Sequence, residues 1–232
     1  MSTYETSAAG NGESFVSSPD VVLGGDPFVL HQPGKRAFDV GVGLLLLVLL
    51  SPVLVVISLA VKLTSRGPVL FTHERIGRGG QPFHMYKFRS MRHDAEEMLQ
   101  ADPVLWEQYR ANDFKLPAEN DPRVTRVGRI LRKTSLDELP QLLNVLFGHM
   151  SLVGPRPVIL TELDECYGQY RAAYCSVRPG MTGLWQTSGR SSVAFPERAE
   201  LDARYVDEMS PGLDLRILFR TLIEVVRRTG AH

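Results

Sequence analysis

Apolar and polar positions change their rhythm several times along the chain. Residues 40–61, "VGVGLLLLVLLSPVLVVISLAV", run without a charge between Asp39 and Lys62. At about 1.5 Å per residue a straight helix of that length covers roughly 33 Å, enough for a bilayer core. The pattern predicts a membrane helix within residues 35–66. Pro52 removes one intrahelical hydrogen bond and crowds the carbonyl four residues earlier, which predicts a bend there. Ser51 can return a hydroxyl hydrogen bond to the loosened backbone. Lys35 and Arg36 precede the run, and Lys62 and Arg66 follow it. Basic flanks favour the cytoplasmic side. A re-entrant helix with both ends on that side accommodates the proline and both flanks; a plain transmembrane span is the open alternative.

Residues 67–91 alternate. They predict two strands, about Val69–Ile76 and Phe83–Ser90, around a positive-φ corner at Gly79-Gly80. Residues 94–112 predict helical pieces broken at Pro103, with Trp106 and Tyr109 on one face. Leu139, Leu142, Leu143 and Leu146 recur at helical spacing. Ser135, with Glu138 three residues on, has the form of a capping box at that helix's start. In 213–228, Leu215, Leu218, Leu222, Val225 and Val226 form an apolar stripe accompanied by Arg216, Arg220, Arg227 and Arg228. Such a helix suits either an ordinary surface or the headgroup plane. Residues 1–34, rich in Ser, Gly and acids, predict a disordered arm and lack the form of a secretory signal. The expected organisation is therefore an arm (1–34), a membrane helix (35–66) and a catalytic domain (67–232), in an α+β, mainly helical fold with a short β-hairpin.

Composition narrows the chemistry. The chain has 232 residues, is 44% hydrophobic and carries a formal net charge of zero. A neutral chain is no general polyanion binder, so nucleic acid is not an expected partner. Two cysteines, Cys166 and Cys175, are too few for a disulfide framework and read as reduced thiols. The six histidines include no pair at ligand spacing, which argues against zinc.

Local charge is more informative. "KTSLDELPQLLN" (133–144) sets Asp137 beside Glu138. Arg123, Arg126, Arg129, Arg132 and Lys133 approach from one side, and Arg156 follows in a rigid Gly-Pro-Arg-Pro turn. The hairpin adds Arg75, Arg78, Lys87, Arg89 and Arg92, either solvated or facing a phosphate. Cations hold a carboxylate ionised, and an ionised Asp can attack phosphorus without a base. A neighbouring acid can help hold Mg²⁺, which keeps phosphate oxygens as its other ligands. Glu138 can equally be a simple helix cap, and Asp137 an acid favoured at a helix start.

Taken in order, "KRAFDV", the apolar run with its central "SP", "GPVLF", "RIGRGGQPFHMYKFRSM", "DPRVTRVGRILRKTSLDELPQLLNVLFGHMSLVGPRP" and "RPGMTGLWQTSGR" resemble the bacterial sugar transferase family, the monotopic phosphoglycosyl transferases. The likeness covers roughly residues 35–228 and is strongest to short exopolysaccharide-type members. It implies that Asp137 is the nucleophile on a UDP-hexose, that Glu138 helps bind Mg²⁺, and that Arg156, Arg89, Arg132 and Lys87 bind phosphate. It implies that Lys35, Arg36 and Asp39 anchor the membrane helix at the headgroups and that Ser51-Pro52 makes the re-entrant bend. The implied acceptor is undecaprenyl phosphate, the implied surroundings are membrane lipids, and the implied place is the cytoplasmic face of a bacterial inner membrane. Galactose is the favoured hexose and glucose the alternative; a homodimer is left open. A non-catalytic membrane scaffold of a polysaccharide assembly complex is the competing class.

Overall fold

The computed structural model describes residues 33–111, 116, 121–188 and 193–227. Nearly all of the expected N-terminal arm, Arg228 and the end of the "RPGMTGLWQTSGR" motif lie outside the described residues, as do the side chains of Val225, Val226 and Arg227. The elements run α1 (Pro33–Thr64), β1 (Leu70–Ile76), β2 (Pro82–Phe88), α2 (Ala95–Ala101), α3 (Pro103–Ala111), α4 (Arg126–Thr134), α5 (Gln141–Phe147), β3 (Ser151–Val153), α6 (Leu160–Cys166), α7 (Arg171–Ser176), β4 (Gly180–Thr182), α8 (Glu197–Glu208) and α9 (Pro211–Arg227). The fold is α+β and mainly helical, as the periodicities predict.

Helix α1 continues through Ser51-Pro52 as one element. Pro52 leaves the Val48 carbonyl without its amide partner, and the Ser51 hydroxyl donates to that carbonyl at 2.8 Å. One face of α1 is covered along both halves. Phe38, Val42, Leu46, Leu47 and Leu50 pack on a core built by Phe83, Met85, Leu142, Val145, Met150, Leu152, Val153, Tyr205 and Ile217. Leu54, Ile57 and Val61 pack with Phe88 and Leu131. The opposite face, including Leu44, Leu45, Val48, Leu49, Val55, Val56, Leu59 and Leu63, is exposed. It is the only helix among the described residues long and apolar enough to cross a membrane.

The start of α1 is fastened to the polar domain. Lys35 donates to Asp214 Oδ2 at 2.5 Å, and the Arg36 guanidinium donates to the carbonyls of Val145 (2.5 Å) and Leu146 (2.8 Å) at the end of α5. A cation there also meets the negative end of the helix dipole. Asp39 is buried and accepts from the Leu152 amide at 3.1 Å. The polar atoms of these three residues are thus engaged by protein.

The hairpin forms where glycine and alternation place it. β1 and β2 are antiparallel, with Leu70 opposite Phe88 and Ile76 opposite Pro82, and both corner glycines have positive φ (73° and 72°). Asp102 ends the α2 stretch, and its carboxylate accepts from the amides of Val104 and Leu105, with Pro103 opening α3. A second, parallel pair joins β3 to β4, Ser151 opposite Gly180 and Val153 opposite Thr182; nothing in the residue pattern announces it. In α9, Ile217 is buried while Leu215, Phe219 and Leu222 are exposed beside Arg216 and Arg220. The expected single stripe is thus split, with part of it turned outward. Cys166 and Cys175 are free.

Candidate active site

The acidic pair does not open a helix. α4 ends at Thr134, and Ser135 takes a left-handed conformation (φ 56°, ψ 18°) that reverses the chain. Its amide donates to the Arg132 carbonyl, and its side chain makes no cap. Leu136–Glu138 then form a single 3₁₀ turn, Pro140 follows, and α5 starts at Gln141. The capping-box expectation is therefore corrected: the Glu138 amide donates to the Ser135 carbonyl rather than to its hydroxyl. The turn presents Asp137 and Glu138 in the elbow between two helices.

The hairpin supplies the facing cation. Lys87 Nζ lies 2.8 Å from Glu138 Oε1. Asn144 fixes the spacing between hairpin and elbow: wholly buried, it accepts from the Tyr86 amide at 2.9 Å and donates to the His84 carbonyl at 2.7 Å. A carboxamide amid leucines was a visible signal in the sequence, and its target strand was not. Arg132 donates from Nε to Ser90 Oγ at 2.9 Å and acts electrostatically on Asp137.

The Asp137 carboxyl is pushed up from 3.8 to about 6. Burial is the chief cause and the Glu138 charge the next; Lys87 and Arg132 pull the other way. Near neutral pH the group is thus mostly ionised yet poorly solvated, a state suited to nucleophilic attack.

The other expected phosphate binders divide. Arg156 is exposed, its guanidinium 5.5 Å from the centre of the Trp185 ring, and Arg198 approaches the same ring at 4.8 Å. Arg75, not singled out for the site beforehand, lies in an ion pair with Glu162 (3.5 Å) and within electrostatic reach of Arg156 and Glu138. It shares a hairpin face with His73 and Lys87 through the register Phe71–Lys87, His73–Met85 and Arg75–Phe83. Arg89 is placed elsewhere. It is buried, and its guanidinium donates to the Pro68 carbonyl and, at 2.8 Å, to both the carbonyl and hydroxyl of Ser65. Its expected role as a phosphate ligand is corrected to one of pinning the loop after α1.

Backbone contacts set the Arg156 turn. The Gly154 amide donates to Thr182 (2.9 Å), and the Gly180 amide donates to Pro155 (2.7 Å). The two glycines touch so closely that a Cβ on Gly180 would stand 2.1 Å from Gly154 N. Beneath the turn Asp202 is buried, accepts from the Tyr167 hydroxyl at 2.8 Å, and is pushed up to about 8 by burial.

Among the described residues no three His, Cys, Asp or Glu side chains gather as a metal cage. Two adjacent acids, one raised by burial and by its neighbour's charge, suit a hard cation that draws its remaining ligands from phosphate oxygens. The donor set therefore fits Mg²⁺ held jointly with a phosphorylated substrate.

A sequence model described as "Bacterial sugar transferase" matches residues 30–228. The chain belongs to the bacterial sugar transferase family. It is similar to an undecaprenyl-phosphate galactose phosphotransferase of Salmonella typhimurium, at 47% identity over 206 residues covering 85% of this chain and 41% of the relative. The exopolysaccharide production protein ExoY of Rhizobium meliloti is 46% identical over 202 residues, covering 85% of this chain and 88% of that one. A UDP-glucose:undecaprenyl-phosphate glucose-1-phosphate transferase of Escherichia coli is 40% identical over 222 residues, covering 92% and 44%. The chain thus spans about two-fifths of the length of several relatives it matches and most of the length of others.

Proposed function

We propose that the chain is a phosphoglycosyl transferase that moves a hexose 1-phosphate, galactose in preference to glucose, from a UDP-hexose to undecaprenyl phosphate with release of UMP. The observation that carries this reading is the Asp137 carboxyl, raised to about 6 in a turn faced by Lys87 and Arg132. An Asp137 oxygen attacks the β-phosphorus of the donor. The phosphoanhydride bond breaks, and its electron pair leaves with UMP. The sugar phosphate is then held as a mixed anhydride on Asp137. A phosphate oxygen of undecaprenyl phosphate attacks the same phosphorus, the carboxylate departs, and a lipid diphosphosugar results. Arg132 and Lys87 offset charge on the transferred phosphoryl group, and Arg156 holds phosphate at the rim. Glu138, with Asp137, would hold Mg²⁺, which when bound supplies charge neutralisation to the diphosphate.

Placement at a membrane, on the cytoplasmic face of a bacterial inner membrane, belongs to the same reading. Both ends of α1 touch one polar domain: Lys35 and Arg36 at the start, Val61 against Phe88 and Leu131 at the finish. That supports a re-entrant helix over a span. The outward row Leu215–Phe219–Leu222, beside Arg216 and Arg220, suits the headgroup plane. The deciding experiment incubates the enzyme with donor and no acceptor and reads its intact mass. A hexose-phosphate adduct mapped to Asp137 is expected. Product formation with no adduct at that residue overturns the mechanism.

A further inference from the structure

The exposed apolar face of α1 ends at Leu63, which is 83% exposed. Immediately beyond it a groove of about 1000 Å³ opens. Thr64, Ser65, Arg66 and Gly67 form one wall, the segment Arg92-His93-Asp94 lies along it, and Pro122, Val124, Thr125, Arg126 and Arg129 form the other wall. Asp94 is its one carboxylate among the described residues, and that group already accepts from Arg92 at 2.9 and 2.7 Å. Arg66, Arg126 and Arg129 are exposed, and their side chains make no hydrogen bond or ion pair among the described residues. Among the described residues, then, the groove carries three uncompensated cations. The N-terminus of the nine-residue α4, with no acid in its first turn, adds to the positive potential.

The walls are fixed before any ligand arrives. Arg89 ties the α1–β1 loop through Ser65 and Pro68. The Arg92 amide donates to Arg123 at 2.8 Å, the Thr125 amide donates to Ser90 at 3.0 Å, and the Arg123–Asp121 pair is buried. Ile130, 62% exposed, follows Arg126 by one helical turn, so Leu63 and Ile130 give the cationic groove an apolar rim.

We propose that this groove binds the phosphate headgroup of an anionic membrane lipid, with the acyl chains lying along Leu63 and Ile130. Its position where α1 leaves the bilayer brings it to headgroup depth whether α1 spans or turns back. The inference rests on the membrane reading of α1 and is independent of the transfer reaction. Three guanidiniums offer bidentate donors to phosphate oxygens at a surface where each basic side chain contributes about fivefold in affinity.

The test uses the full chain reconstituted in phosphatidylcholine vesicles and reads its relative association with spin-labelled phosphatidylglycerol and phosphatidylcholine. Wild type is expected to prefer the anionic lipid, with a preference that shrinks as salt rises. R66Q/R126Q/R129Q is expected to lose that preference by about tenfold or more, while R66K/R126K/R129K keeps most of it. All three side chains are exposed, and unchanged circular dichroism checks the fold of both variants. Equal preference in wild type and the glutamine variant overturns the site and leaves α1 insertion standing. Full displacement of the lipid by excess inorganic phosphate overturns the lipid assignment in favour of a free anion. Failure of the chain to associate with either vesicle overturns the membrane placement and the site with it.

Discussion

Lys87 reaches from strand β2 to Glu138, Nζ to Oε1 at 2.8 Å, so the neighbour of Asp137 is held by a cation rooted in the hairpin. The same charge pulls the Asp137 carboxyl down against its burial. If transfer needs ionised Asp137, kcat/KM rises with pH through about 6. Lys87→Met removes the opposing charge and moves that acid limb to higher pH, with a loss of about three- to tenfold at pH 6. A pH–rate profile of the two proteins checks it; coincident limbs would show that Lys87 does not tune this group.

Asp137→Asn separates catalysis from folding. The native carboxyl titrates above its unfolded value, so the folded state binds the proton more tightly. Stability from this group is complete below about 4 and is lost as pH rises through 6. At pH 7 the Asn protein is expected to be more stable than wild type by up to about 3 kcal/mol, from two units at 1.36 each. It is also expected to lose turnover entirely. Thermal melts at pH 4 and pH 7 check the first expectation; wild type and variant should converge at the lower pH.

Gly180→Ala pushes a methyl group into Gly154 N at 2.1 Å, with backbone on both sides and no flexible neighbour to yield. The β3–β4 pair has to open, and the Arg156 turn moves with it. A loss of about 2–4 kcal/mol is expected, together with a raised KM for the nucleotide sugar. Denaturant unfolding and steady-state kinetics check both. A normal KM in the folded fraction would detach Arg156 from donor binding.

Cysteines placed at Gly34 and Arg66 are expected to react with an impermeant reagent from the same side of the membrane, because both ends of α1 contact one domain. Labelling from opposite sides restores a plain span.

Residue patterns showed the hairpin, α5 and the long apolar helix because each rests on local rules: a glycine pair, leucine spacing and an uncharged run. The return of the Ser51 hydroxyl to Val48 was legible for the same reason. The elbow at Ser135 was not, since its positive φ occurs in a non-glycine residue under tertiary constraint. Arg89 looked like one more hairpin cation, yet it lies just past the end of β2, where strand parity no longer says which way a side chain faces. Lys35, Arg36 and Asp39 had partners more than a hundred positions away, and no local pattern reveals those. The acidic pair was visible from the start; the cations around it were visible only as a surplus, of which Lys87 bonds Glu138, Arg132 acts on the Asp137 charge and Arg75 lies within electrostatic reach of Glu138.

The ion pair between Lys35 and Asp214 joins positions 179 residues apart, and Tyr205 donates to the same carboxylate at 2.7 Å. During synthesis α1 emerges long before its clasp in α9 exists. Helix α9 thus locks α1 only after everything between them has been made. Chains cut short before α9 would carry α1 with a loose leading end.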